Sequence, residues 1–95
     1  MDRETALKLL ESQHTFPSDH RFHVILRTEQ EHVDRVLAGL ATVVGAPDLE
    51  GRVDSVPSRH GTYLSLRVTL PCVDASRVLD VYAALGKMEE VIRYF

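Results

Sequence analysis

The chain has no tryptophan, one cysteine and few other aromatic residues, and each shortage removes a class of function. Without a cluster of aromatic rings there is no cage or stacking ladder to announce a ligand. A lone Cys72 cannot form an internal disulfide, so nothing in the chain calls for an oxidising compartment. No apolar run approaches the roughly 18 residues of a membrane span. Positive charge is also short: the formal net charge is −3, which argues against general affinity for nucleic acid or for anionic membranes. Met1-Asp2-Arg3-Glu4 lacks the basic and apolar regions of a signal peptide, and a cytoplasmic location is the expectation.

What is present is strong alternation. Ser58 to Leu70 reads as a glycine turn feeding a strand in which Leu64, Leu66, Val68 and Leu70 fall on every second position. A period of two places these four on one face of a sheet and Tyr63, Ser65, Arg67 and Thr69 on the other. Arg21 to Arg27 alternates in the same way: Phe22, Val24 and Leu26 share one face, while His23, Ile25 and Arg27 share the opposite one.

The remaining elements have the stripes needed to cover those apolar faces. Asp2 to about Gln13 predicts a short helix capped by Asp2 and carrying Ala6, Leu7, Leu9 and Leu10. His14 to His20 reads as a connector. Thr28 to Val44 predicts the main helix, with Thr28 and Glu31 as a capping box and Val33, Val36, Leu37, Leu40, Val43 and Val44 as its buried stripe. Gly45 supplies its C-terminal cap and Pro47 prevents continuation. Arg52 to Pro57 predicts a weaker strand, placed at an edge by Pro57. Asp74 caps a further helix with the stripe Ala75, Val78, Leu79, Tyr82 and Leu85, ended by Gly86. Glu89 to Phe95 predicts a last strand whose inward face parity does not decide.

Ninety-five residues make one domain, 1–95, with an N-terminal helix and connector over 1–15 and a βαββαβ core over 20–95. That order predicts an α+β, ferredoxin-like sandwich. Its four antiparallel strands run in the order 4-1-3-2, with two helices on one face and the short N-terminal helix added.

Leu9-Leu10-Glu11, Phe16-Pro17, the run Ser58, Gly61, Tyr63 and Ser65, and the closing Tyr82, Leu85, Gly86 and Lys87 occur in an order and spacing that resembles the YbeD-like family of small bacterial proteins. The resemblance implies a ferredoxin-like fold similar to the ACT regulatory domain, which elsewhere binds amino acids at domain interfaces. It implies no established enzymatic activity; some members are encoded beside lipoate-attachment genes. Two features depart from the family pattern. His23 stands where a lysine is expected, and the segment between Glu11 and Phe16 is longer.

Candidate chemistry collects on the open sheet face. His23, Arg27, Tyr63, Ser65 and Arg67, with Thr69, form a local positive spot on an acidic chain, suited to a small anionic ligand or a carboxylate. The competing reading is a solvated polar face, or one partly covered by another subunit. Five histidines, His14, His20, His23, His32 and His60, show no metal-ligand spacing, and scattered surface histidines are the expectation. Cys72 reads as a small buried hydrophobe, and Gly61 as a turn residue.

Two functional classes follow. The first is a non-catalytic regulatory or interaction module, acting as a homodimer or with a protein partner. It needs no cofactor, metal, nucleic acid or membrane. The second is a small enzyme with His23 or His60 as proton carrier and the arginines as anion clamps, which lacks a paired carboxylate or a nucleophile–base motif. A sheet-face RNA binder comes third, since Tyr63 alone offers a stacking surface there.

Overall fold

In the computed structural model, which describes residues 2–95, the elements are α1 (Arg3–Gln13), β1 (Ser18–Arg27), α2 (Gln30–Val44), β2 (Val53–Pro57), β3 (Tyr63–Cys72), α3 (Ala75–Lys87) and β4 (Val91–Tyr94). The strands form one antiparallel sheet in the order β2-β3-β1-β4. Counted from the opposite edge, the same succession is 4-1-3-2.

The two inner strands pair over ten residues each, from Ser18 opposite Cys72 to Arg27 opposite Tyr63. Register is strongly specified here, because a slip of one residue would put every apolar side chain on the wrong face. Phe22, Val24 and Leu26 from β1 meet Leu66, Val68 and Leu70 from β3, and all are essentially inaccessible. Val33, Val36 and Leu40 of α2 and Val78, Val81 and Leu85 of α3 close over them, so both helices lie on one side of the sheet. α1 is fastened outside α3: Arg3 donates to the Asp80 carboxylate at 3.0 Å and to the Ser76 hydroxyl at 2.8 Å.

Several expectations shift in detail. β1 begins at Ser18, inside the expected connector, because Ser18, Asp19 and His20 continue the pairing with β3 opposite Cys72, Pro71 and Leu70. His20 also stacks on Phe16 (5.3 Å between ring centroids). The capping box at α2 does not form. The Thr28 hydroxyl donates to the Gly61 carbonyl at 2.6 Å, tying the end of β1 to the β2–β3 turn. The helix starts at Gln30 after Glu29, which makes no side-chain cap bond. β3 continues through Pro71 to Cys72. The Thr69 amide donates outward to Arg52, so Pro71, two residues on, turns its nitrogen to the side where β2 has already ended and loses no ladder bond. Gly86 lies within α3 instead of ending it. A Cβ there would stand 2.9 Å from the Tyr94 hydroxyl, so the position is bare because β4 approaches it.

The last strand resolves the question that parity leaves open. Ile25 pairs with Arg93 and Leu26 with Val91, so Ile92 is an extra residue in a bulge. Val91 and Tyr94 therefore face the helices although three positions separate them. Arg93 faces the other way.

Candidate functional site

The face of the sheet away from the helices is built from odd-numbered residues of β1 and β3, and register arranges them in rows. Asp54, Arg67 and His23 stand side by side on β2, β3 and β1, and Phe95 beyond β4 completes the row. Phe95 lies flat on His23, with ring centroids 5.0 Å apart and planes at 4°. The next row is Val56, Ser65, Ile25 and Arg93. The one after it joins Tyr63 to Arg27. On the other side of the His23 row, Thr69 sits between Arg21 and Arg52.

The five residues singled out from sequence, His23, Arg27, Tyr63, Ser65 and Arg67, thus share one face. They do not converge on one point. His23 is opposite Arg67, Ile25 is opposite Ser65, and Arg27 is opposite Tyr63. Arg27 and Arg67 are separated by two rows, or roughly 13 Å of strand at about 3.3 Å per residue. Arg27 instead reaches Glu29 at 3.9 Å.

Sequence reasoning missed half of this surface. Ile25 was placed on this face with His23 and Arg27, and Arg21, which shares their parity, was available from the same alternation of β1. Asp54 and Val56 required the β2 register, while Ile92, Arg93 and Phe95 required the bulge. Ile25, Tyr63, Ile92 and Arg93 line a depression of about 420 Å³. Ile92 and Phe95 are 55% and 59% exposed, and exposed apolar side chains grouped on one surface are a mark of interaction sites.

The histidines are dispersed. His14 and His20 pack edge to face at 4.6 Å beside Phe16, and burial together with His14 holds the His20 imidazole below its ordinary pKa. His32 approaches Glu29 at 3.7 Å, and His60 lies in the β2–β3 turn. Among the described residues no three His, Cys, Asp or Glu side chains gather to hold a metal ion. No helix among them is long and apolar enough to cross a membrane.

A second concavity, of about 500 Å³, lies at the end of the sheet where β1 starts and β3 finishes, beside Asp19, Cys72 and Arg77. Arg77 donates to the Val43 carbonyl and so caps α2. Cys72 is 1% exposed, and burial pushes its thiol up to about 11. A thiol held protonated in this way is a poor nucleophile.

None of the curated proteins compared with the chain matches it. A family model does, over residues 11–95, from the last three residues of α1 through all four strands, both covering helices and every residue of the open face. The chain belongs to the family described as "protein of unknown function (DUF493)".

Proposed function

We propose that the protein is a cytoplasmic, non-catalytic interaction or regulatory module that works through its open sheet face. The βαββαβ order after α1, the inner placement of β1 and β3, and two helices on one side support reading it as a ferredoxin-like sandwich of the ACT kind. They also agree with the likeness to YbeD-like bacterial proteins. One observation carries the proposal. The face is composed like a binding surface, with exposed Tyr63, Ile92 and Phe95 set among Arg27, Arg67 and Arg93. Aromatic residues and arginine are the side chains most enriched where proteins bind tightly. His23, Arg27, Tyr63, Ser65 and Arg67 are the contact residues, and the guanidinium groups select an anionic group on whatever binds. A homodimer fits this reading if it is built through a sheet edge such as β4, which leaves the face free.

The test combines sedimentation with a thermal-shift screen of amino acids, lipoate-related acids and nucleotides, on wild type and on Arg67→Glu. A ligand at 100 times its Kd should raise stability by about 2.7 kcal/mol in the wild type alone. A strict monomer that responds to no ligand, and whose face variants behave as wild type in the cell, would remove the reading.

A further inference from the structure

Arginine is concentrated on the open face. Of nine arginines in the chain, Arg21, Arg27, Arg52, Arg67 and Arg93 stand on it, whereas both lysines, Lys8 and Lys87, are on helices. Asp19 and Asp54 are the carboxylates interspersed with them, and Glu29 stands at the margin. The face is therefore cationic on a chain of net charge −3. Its ion pairs are sparse: Arg52 reaches Asp19 at 3.5 Å and Arg27 reaches Glu29 at 3.9 Å. Arg21, Arg67 and Arg93 take part in no ion pair among the described residues.

Apolar exposure gathers in the same place. Of the seven large apolar side chains left exposed among the described residues, Val56, Tyr63, Ile92 and Phe95 lie here, and Tyr63 and Ile92 line a depression with Ile25 and Arg93.

We infer that the occupant of this face is an acidic polypeptide segment of another protein, with an aliphatic or aromatic side chain seated between Ile25, Tyr63 and Ile92 and flanking Asp or Glu residues meeting Arg67, Arg93 and Arg21. The inference rests on the reading that the open face is a docking surface and adds the chemistry of what docks. Charge complementarity sets the choice. A second copy placed face to face would set five guanidinium groups and three carboxylates against the same set, a net like-charge arrangement that opposes association. The spread of the arginines also matters. From Arg21 to Arg27 the face is roughly 20 Å long, the span of about six extended residues, so one small anion cannot engage them together. RNA fits less well, because bases need rings to stack on and Tyr63 and Phe95 are the exposed aromatic side chains this face offers. The centre of the face is also aliphatic, and Phe95 already spends one side of its ring on His23.

The experiment is a selection from a displayed library of random peptides about twelve residues long, enough to cover the face in extended form. The bait is the full-length protein, with counter-selection on Arg67→Glu/Arg93→Glu. Both baits are first shown to melt at similar temperatures. The expected outcome is enrichment of peptides that pair Leu, Ile, Phe or Trp with two or more nearby Asp or Glu. Their affinity should fall at least tenfold when those acids become Asn or Gln, and should weaken similarly between about 0.05 and 0.3 M salt. An Ile25→Ser variant, which keeps the arginines, should lose the same peptides.

Face-dependent enrichment of neutral or basic apolar peptides would overturn the acidic partner while leaving the face as a docking surface. An absence of any face-dependent enrichment would overturn both. A single-stranded oligouridylate probe binding more tightly than the best peptide, or self-association abolished by Arg67→Glu/Arg93→Glu, would replace the polypeptide partner with RNA or with a second copy.

Discussion

The two faces of the sheet are made from the same two strands, yet they obey opposite rules. On the helix side, Phe22, Val24, Leu26, Leu66, Val68 and Leu70 are each at most 1% exposed and belong to one apolar cluster. On the other side, Arg67 is flanked by His23 and Asp54, and Ile25 lies beside Ser65 and Arg93. Moving one residue along β3 crosses from one regime to the other. Stability is thus concentrated on one side, which leaves the other side's composition free to serve binding.

The largest effect that tests this division is Leu66→Asp. It would bury a carboxylate without a partner among Val24, Val68 and the helix stripes, and should cost more than about 4 kcal/mol, most of the stability of a domain this size. Its neighbour change Ser65→Asp should stay within about 0.5 kcal/mol, because the carboxylate would stand in water. Denaturant melts followed by circular dichroism measure both. Equal losses would erase the distinction between the faces.

That distinction was readable from residue order because β1 and β3 alternate without interruption. What could not be read depends on contacts between distant segments. Thr28 and Glu31 have the spacing of a capping box, but the Thr28 hydroxyl is drawn to the Gly61 carbonyl, a partner 33 residues away. Gly86 looks like a helix stop, whereas the approach of Tyr94 explains it. Leu49 is buried in a loop that shows no periodicity. The candidate site was half legible for the same reason. The residues on inner strands follow from parity, and those on β4 depend on a bulge that pattern alone does not reveal.

Cys72 extends the closed side to the very end of β3 and gives it a pH signature. Burial raises the thiol from 9.0 to about 11, so the unfolded chain ionises first as pH rises. The thiol's contribution is fully present below pH 9 and is lost between pH 9 and about 11, which amounts to about 2 to 3 kcal/mol. Cys72→Ala should flatten that limb of a stability–pH curve. In the native protein at pH 8, a disulfide reagent should label Cys72 only as fast as the chain opens. Rapid labelling without opening would show the closed side to be permeable there.

Gly86 tests how tightly the closed side grips β4. Ala in a helix is favoured over Gly by about 1 kcal/mol, but here the added Cβ meets the Tyr94 hydroxyl at 2.9 Å. Gly86→Ala should therefore gain less than that propensity, or lose stability. In a Tyr94→Phe background, which removes the hydroxyl, the same change should recover most of the gain. A double-mutant cycle with no coupling would mean that β4 yields without cost.

The smallest effect is expected outside both faces, where Arg3 ties α1 to Asp80 and Ser76. The Arg3 and Asp80 side chains are 52% and 47% exposed, so water screens the pair, and Arg3→Ala should cost less than about 1 kcal/mol. Residues 2–10 also precede the stretch shared with the family. If the open face is the working surface, Arg3→Ala should bind a face-dependent peptide as wild type does, while Arg67→Glu should not. The reverse pattern would transfer function from the sheet to the α1–α3 side, and the division of labour between the two faces would have to be drawn elsewhere.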